Sequence, residues 1–123
     1  TPAQRGIIPS VLNDNADQSV TGAPGGAPTQ DRVFALSEQE SVVYLSGSAN
    51  RSDIGEALAS EYAASGALTV TEDGTVDWWL RSPGTYGFAA QFVDAASGAN
   101  VDVLYGARPA LWIDLSEVGG DGR

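Results

Sequence analysis

The sequence predicts a single α+β domain in which two short helices pack on small antiparallel sheets. Three observations predict this class. A capping-box pattern starts a helix at Ser37, an Asp-Gly turn joins two β-prone runs at residues 73–74, and apolar residues alternate from Val76 to Arg81. At 123 residues the chain is long enough to bury one modest core.

The first part of the chain is expected to be an irregular lead-in, over residues 1–30, to a core that spans residues 31–116 of the same domain. Residues 117–123 are rich in glycine and are expected to form a flexible tail. Within the lead-in, the stretch Gly22–Pro28 excludes helix and central strand. Each glycine there adds backbone freedom, and each proline removes a hydrogen-bond donor.

Oxygen-bearing side chains alternate within the lead-in, as they do in a calcium-binding loop. They are Asn13, Asn15 and Asp17, but the glycine and the glutamate that such a loop carries further on are absent. Asn and Asp are also ordinary turn formers. We therefore expect turns here, with calcium as the alternative and with no other cofactor.

The first helix is predicted from its capping signal. A short strand over Arg32–Leu36 leads into Ser37, whose hydroxyl would accept from the amide of Glu40 while the Glu40 carboxylate reaches back. The helix is expected to run to about Leu45, and Gly47 is expected to stop it.

A second helix is predicted from Ser52, where acidic residues suit the positive end of the helix dipole, to a stop at Gly66. The spacing places three large apolar residues on one face, and this face is expected to be buried. These residues are Ile54, Leu58 and Tyr62.

The Asp-Gly turn predicts a hairpin between Ala67–Thr71 and Thr75–Arg81. Alternation along the second strand places Val76, Trp78 and Leu80 in the core. It places Asp77, Trp79 and Arg81 on the opposite face. The two adjacent tryptophans are therefore not expected to stack on each other.

A further hairpin is predicted between Phe88–Asp94 and Asn100–Tyr105, with its turn over Ala95–Gly98. The last strand is predicted over Arg108–Leu115, with Pro109 at its edge because proline lacks an amide donor. Its inward residues, and Phe34 with them, are expected to be largely buried. These inward residues are Leu111, Ile113 and Leu115.

Composition argues against several classes of function. The chain has no cysteine, histidine or lysine, so the usual nucleophiles and general bases are missing and Ser82 has no partner to activate it. Carboxylate pairs such as Glu38 with Glu40, or Asp94 with Asp102, are interpreted as solvated acids. A formal net charge of −10 disfavours nucleic acid, and no apolar run suits membrane insertion. We expect a protein that is not an enzyme.

Tryptophans and arginines leave two interpretations open. Trp78, Trp79 and Trp112 form a carbohydrate platform or, as we expect, contribute to the core. Arg81 and Arg108 clamp a ligand carboxylate, or form internal ion pairs. The expected ion-pair partners are Asp77, Asp102 and Asp114.

Five motifs occur in order along the core. They are D-x-hydrophobic-F-x-L-S-x-x-E over Asp31–Glu40, Tyr62-Ala63, WWLRSPG over Trp78–Gly84, a small-x-aromatic-Val segment over Ala90–Val93, and RPALW over Arg108–Trp112. This order resembles a bacterial surface or secreted domain family of unassigned function, itself similar to C-type-lectin-like folds shared with formylglycine-generating enzymes and phage tropism determinants.

The resemblance implies a C-type-lectin-like fold that displays loops for ligand recognition. Members of the family carry a further strand and helical segment before the part matched here. We therefore expect this chain to be a shortened member or the C-terminal portion of a larger domain. The activity of formylglycine-generating enzymes is not implied, because those enzymes use a cysteine pair and this chain has none.

Together these observations and the resemblance predict a non-catalytic recognition module that binds a glycan or a protein. We expect it to belong to a bacterial surface, secreted or phage-related protein and to be extracellular or at the cell surface. Gly84 and Gly87 free the backbone on both sides of Tyr86. The rings of Tyr86, Phe88 and Tyr105 are expected on one side of the domain. Asn100 and Asp102 are expected toward the opposite end of the hairpin. The candidate ligand-binding residues are Thr85, Tyr86, Phe88, Gln91, Asn100, Asp102 and Tyr105. The alternative is a spacer domain that packs against other parts of a larger parent protein.

Overall fold

In the part of the chain that the structure describes, the fold consists of short strands, paired into separate antiparallel sheets, and short helices. The computed structural model describes residues 6–45, 57–66, 68–93 and 95–118. The helices are α1 (Glu38–Leu45) and α2 (Glu61–Ala64). The strands are β1 (Val11–Asn13), β2 (Thr29–Asp31), β3 (Phe34–Ala35), β4 (Ala57–Leu58), β5 (Thr75–Val76), β6 (Trp79–Pro83), β7 (Ala89–Phe92), β8 (Ala95–Asn100) and β9 (Pro109–Ala110). The predicted mixture of helices and small antiparallel sheets is confirmed.

Strand pairing joins distant parts of the chain. β1 pairs with β2, β3 with β9 and β4 with β5, and the strands β6, β7 and β8 form one three-stranded sheet in that order. Pro109 begins the two-residue strand β9, at the edge position that was predicted for it. The amide of Asp114 donates to the carbonyl of Ile7 over 2.8 Å, so both ends of the described chain are fastened to each other.

The core lies under the WWLRSPG segment. Val76, Trp78 and Leu80 are 6%, 1% and 4% exposed, which confirms the predicted alternation. Val93, the residue directly after strand β7, completes the buried cluster with Trp78 and Leu80. Trp79 points to the other side, so the two tryptophans use opposite faces of the same segment, as period-two geometry requires.

Helix α1 begins with the predicted capping box. The Ser37 amide donates to Glu40 Oε2 over 2.8 Å, and the Glu40 amide donates to Ser37 Oγ over 3.2 Å. Reciprocal bonds of this kind satisfy two amides that a helix start otherwise leaves without acceptors. The helix ends at Leu45, as predicted. Gly47, its predicted stop, lies outside the described residues.

Most of the described part of the second predicted helix is not helical, so this prediction is wrong there. Ala57–Leu58 forms strand β4, which pairs with β5, and the helix α2 begins only at Glu61 with Ser60 as its N-cap. Leu58 is 78% exposed and Tyr62 is 90% exposed, so the predicted buried face does not exist there. Pairing with β5 satisfies the backbone of residues 57–58, and this outweighs the local helix pattern. Ile54 and the predicted start at Ser52 lie outside the described residues.

The Asp-Gly turn is present, but its strands differ from the prediction. Gly74 has a positive φ of 80°, and the Thr71 amide donates to the Thr75 carbonyl over 2.9 Å across the turn. Residues 68–70, however, form no strand, and β5 takes β4 as its partner.

The later hairpin has its turn earlier than predicted. Strand β8 begins at Ala95, and Phe92 pairs with Ala95 while Ala89 pairs with Asn100. The stretch Ala95–Gly98, predicted as the turn, is therefore strand. The segment 101–105, predicted as strand, forms turns and irregular chain instead.

The predicted last strand is reduced to β9. Beyond Ala110 the chain is irregular, and Leu111, Ile113 and Leu115 are 42%, 54% and 76% exposed. Their predicted burial is therefore wrong. Phe34, predicted to be largely buried, is half-buried beside them. A strand needs a partner for its backbone, and β3 offers one only to Pro109–Ala110.

Candidate functional site

The seven residues predicted to bind a ligand fall into exposed and buried groups. Tyr86, Phe88, Asn100 and Asp102 are exposed, whereas Thr85 and Tyr105 are half-buried and Gln91 is fully buried. They lie in the loop between β6 and β7, along the hairpin of β7 and β8, and in the segment that follows this hairpin.

Two rings stack at the tip of the β6–β7 loop. Tyr86 and Phe88, which we call the ring pair, lie 5.5 Å apart between centroids with 9° between their planes. They are 64% and 62% exposed. The loop closes tightly, because the Gly84 amide donates to the Ala89 carbonyl over 2.8 Å and the Ala89 amide donates to the Tyr86 carbonyl over 3.0 Å. The rings are therefore presented to solvent on a short, hydrogen-bonded support.

Asn100 lies close in the sheet to the ring pair. It pairs with Ala89, the residue after Phe88, and the Val101 amide donates to the Phe88 carbonyl over 3.3 Å. The expectation that Asn100 belongs at the opposite end of the hairpin is wrong, because the hairpin turn occurs earlier than predicted. A polar amide side chain therefore belongs to the same end of the hairpin as the two exposed rings.

Tyr105 belongs to another group of rings. Its ring lies 4.4 Å from that of Phe92 and 4.9 Å from that of Trp79, measured between centroids. Trp79 and Phe92 also meet edge to face at 6.3 Å. The structure thus brings Tyr86 and Phe88 together and places Tyr105 in an aromatic cluster on the outer face of β6 and β7. Such clusters contribute to stability through buried ring area and favourable ring geometry.

A polar cleft also borders the WWLRSPG segment. We call it the Arg81 cleft; its volume is about 380 Å³. The loop after β1, the first two turns of α1, and the residues Arg81, Ser82 and Gln91 line it. Sequence reasoning found Gln91 and considered Arg81, but it missed the cleft, since no local pattern indicates that these three regions meet.

The base of the Arg81 cleft is an ion pair. Arg81 Nη1 lies 3.0 Å from Glu40 Oε2, and Nη2 lies 3.2 Å from Oε1, which is the bidentate geometry of a strong pair. Arg81 Nη1 also donates to the Ala35 carbonyl over 2.7 Å. An internal ion pair was predicted for Arg81, but its predicted aspartate partners are wrong, because Glu40 occupies the guanidinium.

The pKa of Glu40 is lowered from its ordinary value. Burial alone raises this pKa, but the hydrogen bonds from Arg81 and Ser37 favour the charged carboxylate and outweigh burial. Glu40 is therefore an anion that holds Arg81 in place. A carboxylate in this state is unsuited to the role of general acid.

Hydrogen bonds fix the remaining wall of the Arg81 cleft. The Glu38 amide donates to Ser82 Oγ over 2.9 Å, so the start of α1 is attached to β6. Gln91 Nε2 donates to Glu38 Oε2 and to the Pro83 carbonyl, each over 3.1 Å. Gln91 is 0% exposed and thus positions Glu38, and it is too deeply buried to contact a ligand on the hairpin surface.

The candidate calcium residues serve as turn formers in the described chain. Asn13 Nδ2 donates to Asp31 Oδ2 over 2.9 Å, Asn15 Nδ2 donates to the Ala27 carbonyl over 2.7 Å, and Asp17 Oδ1 accepts from the Gly25 amide over 3.0 Å. Among the described residues no cluster of three or more acidic side chains is arranged to hold a metal. Calcium binding stays a prediction.

Trp78 and Arg108 meet in a cation–π contact, with the guanidinium carbon 5.0 Å from the ring centroid. Trp112, half-exposed at 47%, contacts Tyr44 edge to face at 5.7 Å. Trp78 is thus a core residue rather than part of an open platform. The pair of Asp94 and Asp102, interpreted from the sequence as solvated acids, includes Asp94, which lies outside the described residues.

Comparison with known proteins gives one match. The model of a family described as Domain of unknown function (DUF6273) matches residues 1–115. Neither the curated proteins nor the solved structures contain a significant match to the chain. None of the helices in the described ranges combines the length and the apolar character that crossing a membrane requires.

Proposed function

The chain belongs to the DUF6273 family, and we propose that it is a non-catalytic recognition module that binds a glycan through the ring pair and Asn100. The observation that carries the proposal is the exposed, parallel stacking of Tyr86 and Phe88 on a tightly closed loop. Adjacent exposed apolar side chains mark interaction sites more often than single exposed ones do. Loops on a rigid support are where binding residues concentrate.

The size and the chemistry of this surface favour a sugar. The flat faces of the rings match the apolar C–H faces of a pyranose, and the Asn100 amide offers both a donor and acceptors for hydroxyl groups. A stable protein interface buries about 800 Å² on each partner, far more than two rings provide. A neutral glycan is also compatible with a net charge of −10, whereas a polyanion is repelled.

We further propose that the fold is C-type-lectin-like and that the parent protein is bacterial, surface-exposed or secreted. The support is the order of the WWLRSPG and RPALW motifs and the arrangement of short helices on small antiparallel sheets. Catalysis forms no part of the proposal, because the chain lacks histidine, cysteine and lysine and because Glu40 is held as an anion by Arg81.

The test is a glycan array probed with the wild-type chain and with a double variant, Tyr86→Ala with Phe88→Ala. We expect the double variant to lose at least about tenfold in affinity for any glycan bound, as is typical when aromatic anchors are removed. Its thermal unfolding midpoint should stay close to that of wild type, because both rings are exposed.

Tyr62→Ala provides the matched control, since Tyr62 is 90% exposed but lies on α2. Equal binding by all three proteins would contradict the proposed site. The alternative is a spacer domain, and the observation that favours it is the exposure of several large apolar side chains, among them Val43, Tyr44, Trp112, Ile113 and Leu115. If no glycan binds and a purified neighbouring part of the parent protein covers these side chains, the spacer function is correct.

A further inference from the structure

The surface of the ring pair continues onto an apolar side chain of the neighbouring chain segment, Val101. We propose that this surface selects acetamido sugars, in which an N-acetyl group replaces one hydroxyl group of the ring. The sugar ring lies on Tyr86 and Phe88, and the acetyl methyl group packs against Val101. This inference rests on the glycan-binding function proposed above and specifies the class of sugar that the same surface binds.

Hydrogen bonding places Val101 beside the ring pair. Ala89 pairs with Asn100 at the end of the β7–β8 hairpin, and the Val101 amide donates to the Phe88 carbonyl over 3.3 Å one position further along. Directly opposed residues of antiparallel strands project from the same face, with Cβ atoms about 5 Å apart. Val101 is therefore the cross-strand neighbour of Phe88, on the face where Phe88 stacks with Tyr86.

Val101 is presented to solvent on a fixed support. Its side chain is 67% exposed, much like those of Tyr86 and Phe88. The Val103 amide donates to the Asn100 carbonyl over 3.0 Å, and this bond closes the turn that contains Val101. The two rings and the valine thus form a surface whose backbone is already ordered. Such a surface loses little conformational freedom when a ligand binds.

The chemistry of Val101 determines which sugars fit. A sugar hydroxyl group directed at this side chain would lose water without gaining a hydrogen bond, because valine has neither a side-chain donor nor an acceptor. A methyl group directed there buries apolar area instead, which is favourable. An acetamido group holds its methyl group about one side-chain spacing from the centre of the sugar ring. A sugar stacked on the ring pair can therefore place this methyl group over Val101.

Asp102 supports a different preference, for a sugar with a free amino group. It is exposed and directly follows Val101, and its carboxylate would attract an ammonium group. Salt and solvent weaken attraction between exposed charges, whereas burial of apolar area does not depend on them in this way. Three neighbouring apolar side chains therefore favour the acetylated sugar over the charged one.

The experiment titrates the intact chain with three trisaccharides at physiological salt and slightly acidic pH, using calorimetry and the methyl NMR signals of Val101. The sugars are tri-N-acetylchitotriose, cellotriose and the deacetylated glucosamine trimer, which share one backbone and differ in an acetamido, a hydroxyl or an ammonium group. The acetylated sugar should bind about threefold to tenfold more tightly than cellotriose, as burial of one methyl group predicts. It should also shift the Val101 methyl signals.

Two conservative variants test the role of Val101. Val101→Thr keeps the shape of the side chain and replaces a methyl group by a hydroxyl group. It should reduce the advantage of the acetylated sugar over cellotriose to less than about twofold, without weakening cellotriose, because the removed contact is made only by the acetyl methyl group. Val43→Thr is the matched control, since Val43 is 65% exposed on α1, and it should leave the advantage unchanged.

Three outcomes would overturn the proposal: equal binding of the acetylated sugar and cellotriose, an advantage that survives Val101→Thr, or tighter binding of the glucosamine trimer. The double variant Tyr86→Ala with Phe88→Ala separates these failures from failure of the glycan function. If it loses all three sugars while wild type does not prefer the acetylated one, the glycan surface stands and its selectivity is wrong. If it binds the sugars as wild type does, the glycan surface itself is wrong. Absence of any binding of the acetylated sugar to wild type also overturns the selectivity.

Discussion

Among the residues that the structure describes, Trp78 is the largest fully buried side chain, at 1% exposed. Leu36, Val42 and Ala57 pack against the cluster that contains it, so its removal leaves a cavity that several elements line. We predict that Trp78→Ala lowers the free energy of unfolding by about 3–5 kcal/mol. Chemical denaturation measures this loss.

Trp112→Ala is the matched control for Trp78→Ala. Trp112 is 47% exposed, so its removal takes away less buried area and leaves no enclosed cavity. We expect less than about half the loss seen at Trp78. Equal losses at the two positions would show that the core does not lie under the WWLRSPG segment.

Protonation of Glu40 makes the folding stability depend on pH in the acidic range. Its folded-state pKa is lowered below the ordinary value of 4.5, which the unfolded chain retains. The stabilisation from Glu40 is therefore fully present above about pH 4.5 and is lost as pH falls through the lower folded-state pKa. We predict that Glu40→Gln flattens this acid-side decline, as measured by denaturation at a series of pH values.

The loss of stability at low pH will not vanish in the Glu40→Gln variant. The pKa of Asp31 is also lowered, first by its hydrogen bond from Thr29, and that of Asp114 by Ser116. Glu72→Gln, in the exposed turn before β5, serves as the control. If Glu72→Gln flattened the decline as much as Glu40→Gln, the Arg81–Glu40 pair would not be its cause.

Among the secondary-structure elements, the β7–β8 hairpin depends on a glycine inside a strand. Gly98 has a positive φ of 78°, and a side chain there would collide with the Ala90 carbonyl and lie 3.0 Å from the Gly84 Cα. We predict that Gly98→Ala destabilises the domain by more than about 1 kcal/mol, through backbone strain and overpacking together. Thermal unfolding measures the combined effect.

Gly74→Ala separates the two causes. Gly74 has a similar φ of 80°, but a Cβ there would meet nothing within 4 Å. The difference between the two variants therefore reports the cost of the collision alone. Equal destabilisation would show that β7 and β8 yield around the added methyl group.

Gly98 also explains why the turn of the β7–β8 hairpin was predicted at the wrong residues. Gly98 has the positive φ that is typical of turns, but the chain uses it within β8, beside an irregular register between Ala90 and Phe92. Helix α1, in contrast, was predicted correctly because its cap is formed by residues three positions apart. Elements whose determinants are local were predictable, and β4 was not, because its partner β5 lies beyond the helix α2.

At the scale of the whole molecule, part of one candidate site could be predicted from the sequence, whereas the other could not. The exposure of Tyr86 at a loop tip could be predicted, since glycines flank it in the sequence, but Tyr105, which was grouped with Tyr86 and Phe88, packs against Trp79 and Phe92 instead. The Arg81 cleft could not be predicted, because Glu40 and Arg81 lie 41 positions apart and only the tertiary fold brings them together. The exposure of Leu111, Ile113 and Leu115 was likewise invisible, since an apolar alternating segment looks the same whether or not a partner strand exists.

The pairing of β3 with β9 has a consequence for synthesis on the ribosome. Phe34 pairs with Ala110, and the Asp114 amide donates to the Ile7 carbonyl, so these contacts cannot form before residues 110–114 have been synthesised. Until then, Trp78 and its neighbours leave the ribosome without all the contacts that bury them in the folded domain. Contacts of such long sequence separation slow folding and prolong the exposure of apolar surface. A chaperone that shields nascent apolar segments would thus act on this domain mainly before its last strand is translated.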